Sequence, residues 1–145
     1  MIKHSIEINR SPEDVFGYLD QLERHGEWQG EIVSATRDTD GPVGVGTRVH
    51  EIRKMGRREV DASYEITEHD PPRRTAFRGT VGPIRPVGTV TIDPVGDGSS
   101  ARVSIDFNLV GYGFGKLIAP LARRDARKRI ADYQERLKAQ LEAGA

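Results

Sequence analysis

The C-terminal third of the chain predicts one long helix that follows a series of short strands, and this order most restricts the fold. Apolar residues between Phe114 and Leu141 recur at helical spacing, whereas the segments before Gly111 alternate apolar and polar residues. A meander of strands has one face to cover, and a long amphipathic helix is the obvious cover. Such a long sheet must curl around the helix. The sequence therefore predicts a concave inner face that one helix cannot fill.

The remaining elements follow from alternation, capping and turn residues. Residues 2–8 predict a strand, and Ser11-Pro12-Glu13-Asp14 predicts a helix start, because Ser11 can cap it and Pro12 suits its first turn. This helix extends to about Asp20, and a second short helix covers Gln21–His25. Further strands are predicted over Glu31–Asp38, Thr47–Met55, Arg58–Glu68, the region of Thr75–Gly79, the region of Val90–Ile92, and Ala101–Leu109.

Glycine and proline predict the irregular positions. Gly82, Pro83 and Pro86 indicate a loop before the sixth of the seven predicted strands, and Gly111-Tyr-Gly113-Phe-Gly115 indicates a hinge between the last strand and the long helix. Pro120 predicts a kink or a restart of that helix. The predicted fold class is α+β: a curved, seven-stranded antiparallel sheet in the order β-α-α-β6-α around a C-terminal helix, as one domain over residues 1–145.

Composition narrows the classes of partner. The chain has 145 residues, formal net charge +0 and no cysteine, so we expect neither nucleic-acid binding nor disulfides. The N-terminus alternates polar and apolar residues, and no later stretch is long enough to span a bilayer. We therefore predict a cytoplasmic protein with no stable membrane insertion. The predicted partner is an apolar small molecule without a cofactor; a monomer and a homodimer both remain open.

Several motifs of the sequence resemble the helix-grip (SRPBCC, START-like) superfamily, in particular its polyketide cyclase/dehydrase-like branch. These motifs are Ser11–Phe16, Trp28, Val43–Thr47, Tyr64-Glu65-Ile66 before Pro71-Pro72-Arg73, and Tyr133–Lys138. The resemblance spans essentially the whole chain. It implies an internal cavity between sheet and long helix, commonly for a lipid-like or polycyclic molecule. Entry would lie near Gly56-Arg57, Val81–Pro86 and Gly111–Gly115.

Two functions are compatible with such a cavity. The first is binding of a hydrophobic, lipid-like or polyketide-like molecule. The expected lining residues are Trp28, Val49, Glu51, Tyr64, Phe77, Val90, Ile105, Phe107, Leu117 and Leu121. The alternative is a cofactor-independent cyclase, dehydratase or aromatase. Its candidate catalytic residues are His4, Glu51, Arg53 and Tyr64, with Arg53 steadying an enolate. A third possibility, an interaction module, would use the basic run Arg123–Arg129; a solvated helix face is the simpler interpretation of that run.

The strand Thr47–Met55 carries charge on both faces. If Val49 faces inward, Glu51 and Arg53 do so too, whereas the opposite parity places His50 and Lys54 inside. An inward charge needs a partner, so we predict either a Glu51–Arg53 pair or a ligand-directed contact. The alternative is that these groups lie near solvent. The histidines at 4, 25, 50 and 69 fall on separate elements without ligand spacing, so no metal site is expected.

Overall fold

Successive hairpins build one curved antiparallel sheet, described over residues 1–145 by a computed structural model. The strands are β1 (Ile2–Ile8), β2 (Ile32–Arg37), β3 (Arg48–Met55), β4 (Arg58–Asp61), β5 (Tyr64–Asp70), β6 (Arg74–Gly79), β7 (Ile84–Val95) and β8 (Ser100–Gly111). Their order across the sheet is β1-β8-β7-β6-β5-β3-β2, with β4 beside β3. The first strand thus pairs with the last, and the predicted curved sheet with a long C-terminal helix is confirmed.

The predicted strand Arg58–Glu68 is interrupted at Ala62 and Ser63. Both of its parts pair with β3: β4 with the end of β3, and β5 with its beginning. Counted as one interrupted strand, β4 and β5 give the seven strands that the sequence predicts. The break lies at the middle of β3, where the backbone N–H of Glu51 donates to the Ser63 hydroxyl at 3.3 Å.

Two short helices connect β1 to β2. Helix α1 (Pro12–Leu19) begins as predicted, because the Ser11 side chain accepts a hydrogen bond from the backbone N–H of Asp14 at 3.2 Å. A 3-10 helix (Leu22–Glu27) takes the place of the second predicted helix. It contacts β2, whereas α1 contacts β7 and β8. The two helices therefore cover different parts of the inner face.

Helix α2 (Gly115–Glu142) packs on β1, β8 and β7. Its buried residues lie mainly in the C-terminal half, at Ile130, Gln134, Leu137 and Leu141. The helix continues through Pro120, so the predicted restart is wrong. Because α2 covers one side of the sheet, the inner face of β3, β5 and β6 relies on the 3-10 helix and on its own side chains.

Strand β7 begins earlier than predicted. Residues from Ile84 onward pair with β8, including Pro86 with Leu109, so the predicted loop through Pro86 is wrong. The pairing of β7 with β6 ends at Val87. Proline has no N–H to give to a ladder, and here it lies just beyond the end of that ladder. Strand β7 can therefore continue to pair with β8 through Pro86 without losing a hydrogen bond to β6.

The predicted hinge between β8 and α2 requires glycine. Gly113 has φ +57, and a Cβ atom on Gly115 would lie 1.9 Å from the carbonyl oxygen of Pro83. The backbone of the β6–β7 turn therefore touches the start of α2. The hinge brings β8, this turn and α2 together at one end of the sheet.

The buried core is divided into three clusters. The largest joins α1, β1, β7, β8 and the end of α2. A second contains Leu22, Val49, Tyr64 and Ile66, and a third contains Ile2, Phe107 and Ile130. Small domains usually have one continuous core with minor satellites. In this fold, Phe77, Val90 and Ile105 pack at the edges of these clusters and are only half-buried.

Candidate functional site

Strand β3 directs Glu51 and Arg53 toward the inner face. Val49 is fully buried in the cluster around Leu22, which fixes the parity of the strand. The side chain of Glu51 is 4% exposed and that of Arg53 is 20% exposed. The interpretation that these charged groups lie near solvent is therefore wrong for Glu51, and the predicted Glu51–Arg53 pair is present.

Arg53 is the centre of an inward polar cluster. Its Nη1 donates to Glu51 Oε1 at 2.7 Å and to Gln29 Oε1 at 2.9 Å, and its Nη2 donates to Tyr133 Oη at 3.1 Å. The guanidinium carbon also lies 5.9 Å from the centre of the Tyr133 ring. Burial lowers the pKa of Arg53, but Glu51 and Tyr133 together raise it above its ordinary value. Arg53 therefore stays a cation at the inner face.

Glu51 depends on Arg53 alone. Burial raises the pKa of Glu51 above its ordinary value, and the attraction and hydrogen bond of Arg53 only reduce this shift. The asymmetry between the two partners has a simple cause, because Arg53 has several oxygen acceptors whereas Glu51 has one donor from a side chain. Glu51 is thus a carboxyl group with increased proton affinity in a largely dry position.

Glu31 connects this cluster to α2. Tyr133 Oη donates to one oxygen of Glu31, and Arg129 donates to the other. Arg129 Nε also donates to Asp125 Oδ2 at 2.7 Å. Tyr133 belongs to a motif that the sequence shares with the family, and neither Gln29 nor Glu31 was predicted as a site residue. No local pattern indicates Glu31, because its contacts with Arg129 and Tyr133 join residues that are 98 and 102 positions apart.

Tyr64 contributes a polar group without a partner. Its side chain is buried, 8% exposed, and its ring meets that of Phe77 edge-on with 6.0 Å between centroids. The hydroxyl is buried and forms no hydrogen bond. Burial raises the pKa of Tyr64 well above its ordinary value, with Glu51 adding to the shift. The hydroxyl therefore remains protonated and is available as a donor.

His4 is held by the long helix. Its Nδ1 lies 2.6 Å from Oε1 of Gln134, which is buried on α2. Because that oxygen only accepts, Nδ1 carries the proton of this bond. The contact ties β1 to α2 and places His4 outside the Glu51–Arg53 cluster, with which it shares no hydrogen bond.

The other histidines have separate partners. His25 Nε2 bonds the carbonyl oxygen of Leu19 at 2.7 Å, and His69 Nε2 lies 2.9 Å from Asp20 Oδ2. His50 Nδ1 lies 3.2 Å from the Ser63 hydroxyl, which donates to Asp61. The Ser63 hydroxyl is thus bound directly to a carboxylate at the break between β4 and β5, and these three side chains connect this break to β3. In a nucleophilic triad the histidine would instead lie between the serine and the carboxylate.

The other expected lining residues are buried, half-buried or exposed. Val49 and Phe107 are buried within core clusters, whereas Phe77, Val90 and Ile105 are half-buried on the inner face. Trp28 is also half-buried and packs against the largest cluster, and its indole N–H is buried without a hydrogen-bond partner.

Leu117 and Leu121 do not line the inner face. They are 83% and 68% exposed, so their assignment to a cavity is wrong. The physical reason lies in the geometry of α2. The helix meets the sheet mainly through its C-terminal half, which leaves the apolar stripe of its first turns in water.

Two open depressions lie on the protein surface, and neither lies between the inner face and α2. One, of about 290 Å³, is on the outer face of the sheet and is almost entirely polar, with Lys3, Thr89 and Asp106 among its residues. The other, of about 310 Å³, lies by Arg78, Arg85 and Tyr112. An enclosed cavity beneath α2 stays a prediction, supported by the half-buried apolar residues and the unpaired polar atoms of Tyr64 and Trp28.

The sequence and the fold both have known counterparts. A profile of the family described as polyketide cyclase/dehydrase and lipid transport matches residues 1–142. The chain belongs to this family. No match was found among curated proteins.

Many solved structures share the fold of this polyketide cyclase/dehydrase family member. A START superfamily protein from Mycobacterium smegmatis has TM-score 0.80 and 13% identity, covering 99% of this chain and 98% of its own. The Zhui aromatase/cyclase from Streptomyces sp. R1128 has TM-score 0.78 and 10% identity, covering 97% and 92%. A protein from Thermus thermophilus has TM-score 0.75 and 22% identity, covering 99% of both chains. At these identities the likeness establishes the fold alone.

Proposed function

We propose that this family member binds an apolar, lipid-like or polyketide-like small molecule between the inner face of the sheet and α2. The observation that carries the proposal is the Tyr64 hydroxyl, which is buried without a hydrogen-bond partner on β5, the strand paired with the start of β3 on which Glu51 and Arg53 lie. A buried donor left unpaired costs about 1–3 kcal/mol, so its retention calls for a partner. An oxygen of a bound molecule would supply that partner.

The apolar part of the ligand would meet the inner face between the core clusters. Phe77, Val90 and Ile105 are half-buried there, so each keeps apolar surface that a guest could cover. Burial of such surface favours binding by about 25 cal/mol per Å² before the costs of association. Arg53 and Tyr64 would fix the orientation of the ligand through its oxygen. A cytoplasmic location, one domain and a monomeric or homodimeric state, as predicted from the sequence, belong to the same proposal.

Binding can be tested by native mass spectrometry of freshly purified protein, followed by titration with long-chain fatty acids and polycyclic phenols. We expect a co-purifying apolar molecule or affinity for members of this panel. Tyr64→Phe should weaken an oxygen-bearing ligand about tenfold and leave its hydrocarbon analogue unaffected, since one buried hydrogen bond is lost. Tyr112→Phe is the matched control, because Tyr112 is exposed. Protein that is always empty and binds nothing in the panel would refute the proposal.

A second function, cyclisation or dehydration of a ketide, is favoured by one specific observation. Glu51, a carboxyl group of raised pKa, lies 2.7 Å from the permanent cation Arg53. Such a carboxylate could take a proton from the carbon next to a ligand carbonyl, while Arg53 and Tyr64 hold the developing enolate oxygen. A proton accepted by Glu51 could then be returned to a leaving hydroxyl, which departs as water.

Glu51→Gln distinguishes the two functions. In an enzyme, this change would abolish conversion of a bound model ketide and leave its binding nearly intact, because the amide keeps the shape but accepts no proton. In a carrier, the wild-type protein would return the same ketide unchanged. Mass spectrometry of the recovered ligand measures both outcomes.

A further inference from the structure

The start of α2 carries apolar side chains that the fold leaves in water. Phe114, Leu117, Ile118 and Leu121 are 69%, 83%, 42% and 68% exposed. Their spacing of three and four residues places them on one side of the helix. We call this group the apolar tip. Contiguous exposed apolar surface of this kind commonly marks a contact site.

Basic side chains lie beside and behind the apolar tip. Lys116, Arg124, Arg127 and Lys128 make no ion pair, whereas Arg129 is paired. Arg124 and Lys128 continue the stripe of Leu117 and Leu121 along the helix. Between positions 116 and 129 the acidic residue is Asp125, and Arg129 occupies it. A chain of net charge +0 therefore presents a locally positive face here.

The apolar tip projects from the end of the sheet where several turns meet. The backbone N–H of Tyr112 bonds the carbonyl oxygen of Pro83 at 2.7 Å, which fixes the β6–β7 turn beside the start of α2. The C-terminus lies at the opposite end, where Arg10 bonds the carbonyl oxygens of Leu141 and Ala145. The apolar tip is thus an outward protrusion of a well-fixed end of the fold.

We propose that the apolar tip and the basic residues behind it dock this protein on the surface of an anionic lipid membrane. The charge complementarity selects this occupant, since exposed cations without acidic neighbours are attracted to acidic headgroups. A second copy of the chain would bring the same cations face to face. The proposal goes beyond ligand binding and does not depend on it.

The geometry suits entry of the helix tip first. Lys128 lies eleven positions after Leu117, which is about 16 Å along a helix. Apolar side chains predominate in the first two turns, which also carry Lys116, and cations predominate in the next two. Interfacial apolar groups enter a membrane to a depth of about 5–10 Å, so Arg124 and Lys128 would lie near the phosphates when Leu117 and Leu121 are immersed.

Vesicle flotation of the full chain tests this assignment. We expect binding to phosphatidylcholine vesicles that contain phosphatidylglycerol and much weaker binding to phosphatidylcholine alone. The double variant Leu117→Ser with Leu121→Ser should lose binding at least about tenfold, and Arg124→Glu with Lys128→Glu should lose about fivefold or more per charge. Matched controls are Val45→Ser and Arg73→Glu, exposed residues of turns at the other end of the sheet, which should bind like wild type.

A fluorescent probe gives a second, direct readout. The emission that Phe114→Trp adds to that of the native Trp28 should be quenched by brominated lipids in the anionic vesicles, whereas the emission that Val45→Trp adds should not be. Absence of wild-type binding to anionic vesicles, or equal binding to neutral ones, would overturn the proposal. The proposal would also be overturned if the wild-type protein bound no vesicles and sedimented as a dimer that Leu117→Ser with Leu121→Ser dissociates. Since these positions are exposed, thermal unfolding should show that all variants are folded. If the serine double variant is not folded, vesicle binding by the two charge variants tests the proposal instead.

Discussion

The dependence of Glu51 on Arg53 leads to a sharp prediction about stability. Arg53→Met removes the one side-chain donor of a carboxylate that is 4% exposed, and leaves that charge buried. Breaking a buried pair in this way costs about 3–5 kcal/mol. Because Arg53 itself is 20% exposed and water can reach part of the site, we expect about 3 kcal/mol, at the low end of that range. For 145 residues this corresponds to a fall in Tm of about 10 °C.

The loss should depend on pH with a definite sign. The pKa of Glu51 is raised in the folded protein, so this group binds a proton more readily in the folded than in the unfolded state. Its contribution to stability is therefore lost as the pH rises from the pKa of the unfolded state through the pKa of the folded state. Arg53 opposes the shift. Arg53→Met should therefore raise the pKa of Glu51 further and lose more stability at neutral pH than at acidic pH.

Urea unfolding at acidic and at neutral pH measures both effects. The double variant Glu51→Gln with Arg53→Met should recover most of the loss, since it removes the buried charge as well as its partner. Arg73→Met is the control: its ion pair with Asp70 is exposed, and the change should cost less than about 0.5 kcal/mol. A loss below about 1 kcal/mol for Arg53→Met at neutral pH, or a loss independent of pH, would refute the coupling of the two groups.

Two further predictions concern packing, and both are measured by thermal unfolding. Leu137→Ala should cost about 2–5 kcal/mol because Leu137 is fully buried, whereas Leu117→Ala on the same helix should change stability by less than about 0.5 kcal/mol; equal effects would mean that the first turns of α2 are packed after all. Gly88→Ala would place a Cβ atom 2.7 Å from that of Phe107 and should destabilise by about 1–3 kcal/mol, whereas Gly17→Ala meets open space in α1 and should stabilise by about 0.5–1 kcal/mol. A neutral result at Gly88 would contradict the close approach of the Phe107 and Phe77 side chains to the β7 backbone.

Local sequence signals predicted most elements of the fold, because alternation and capping act between near neighbours. Strand β1 has its predicted bounds, and α1 starts at Pro12 with Ser11 as its cap. The early start of β7 could not be predicted in this way. From the sequence, Pro86 is typical of a loop. Only the structure shows that the pairing with β6 ends at Val87, so that a proline is tolerated at the adjacent position.

The candidate site was only partly predictable for the same reason. Both parities of Thr47–Met55 carry a charge, so only the three-dimensional burial of Val49 decided that Glu51 and Arg53 face inward. The stripe at Leu117 and Leu121 has the spacing of a buried helix face. Its exposure depends on how far α2 lies over the sheet, which no local pattern records.

The break between β4 and β5 divides the sheet at β3. Beyond Glu51, the β3–β4 hairpin is bordered by β2 alone, and every residue of β4 is exposed. Its amide protons should therefore exchange with solvent well before those of β7 and β8. The same isolation means that residues inserted at Gly56-Arg57 would disturb only groups already in water. This hairpin is the part of the fold where a new loop could be built with the least loss of stability.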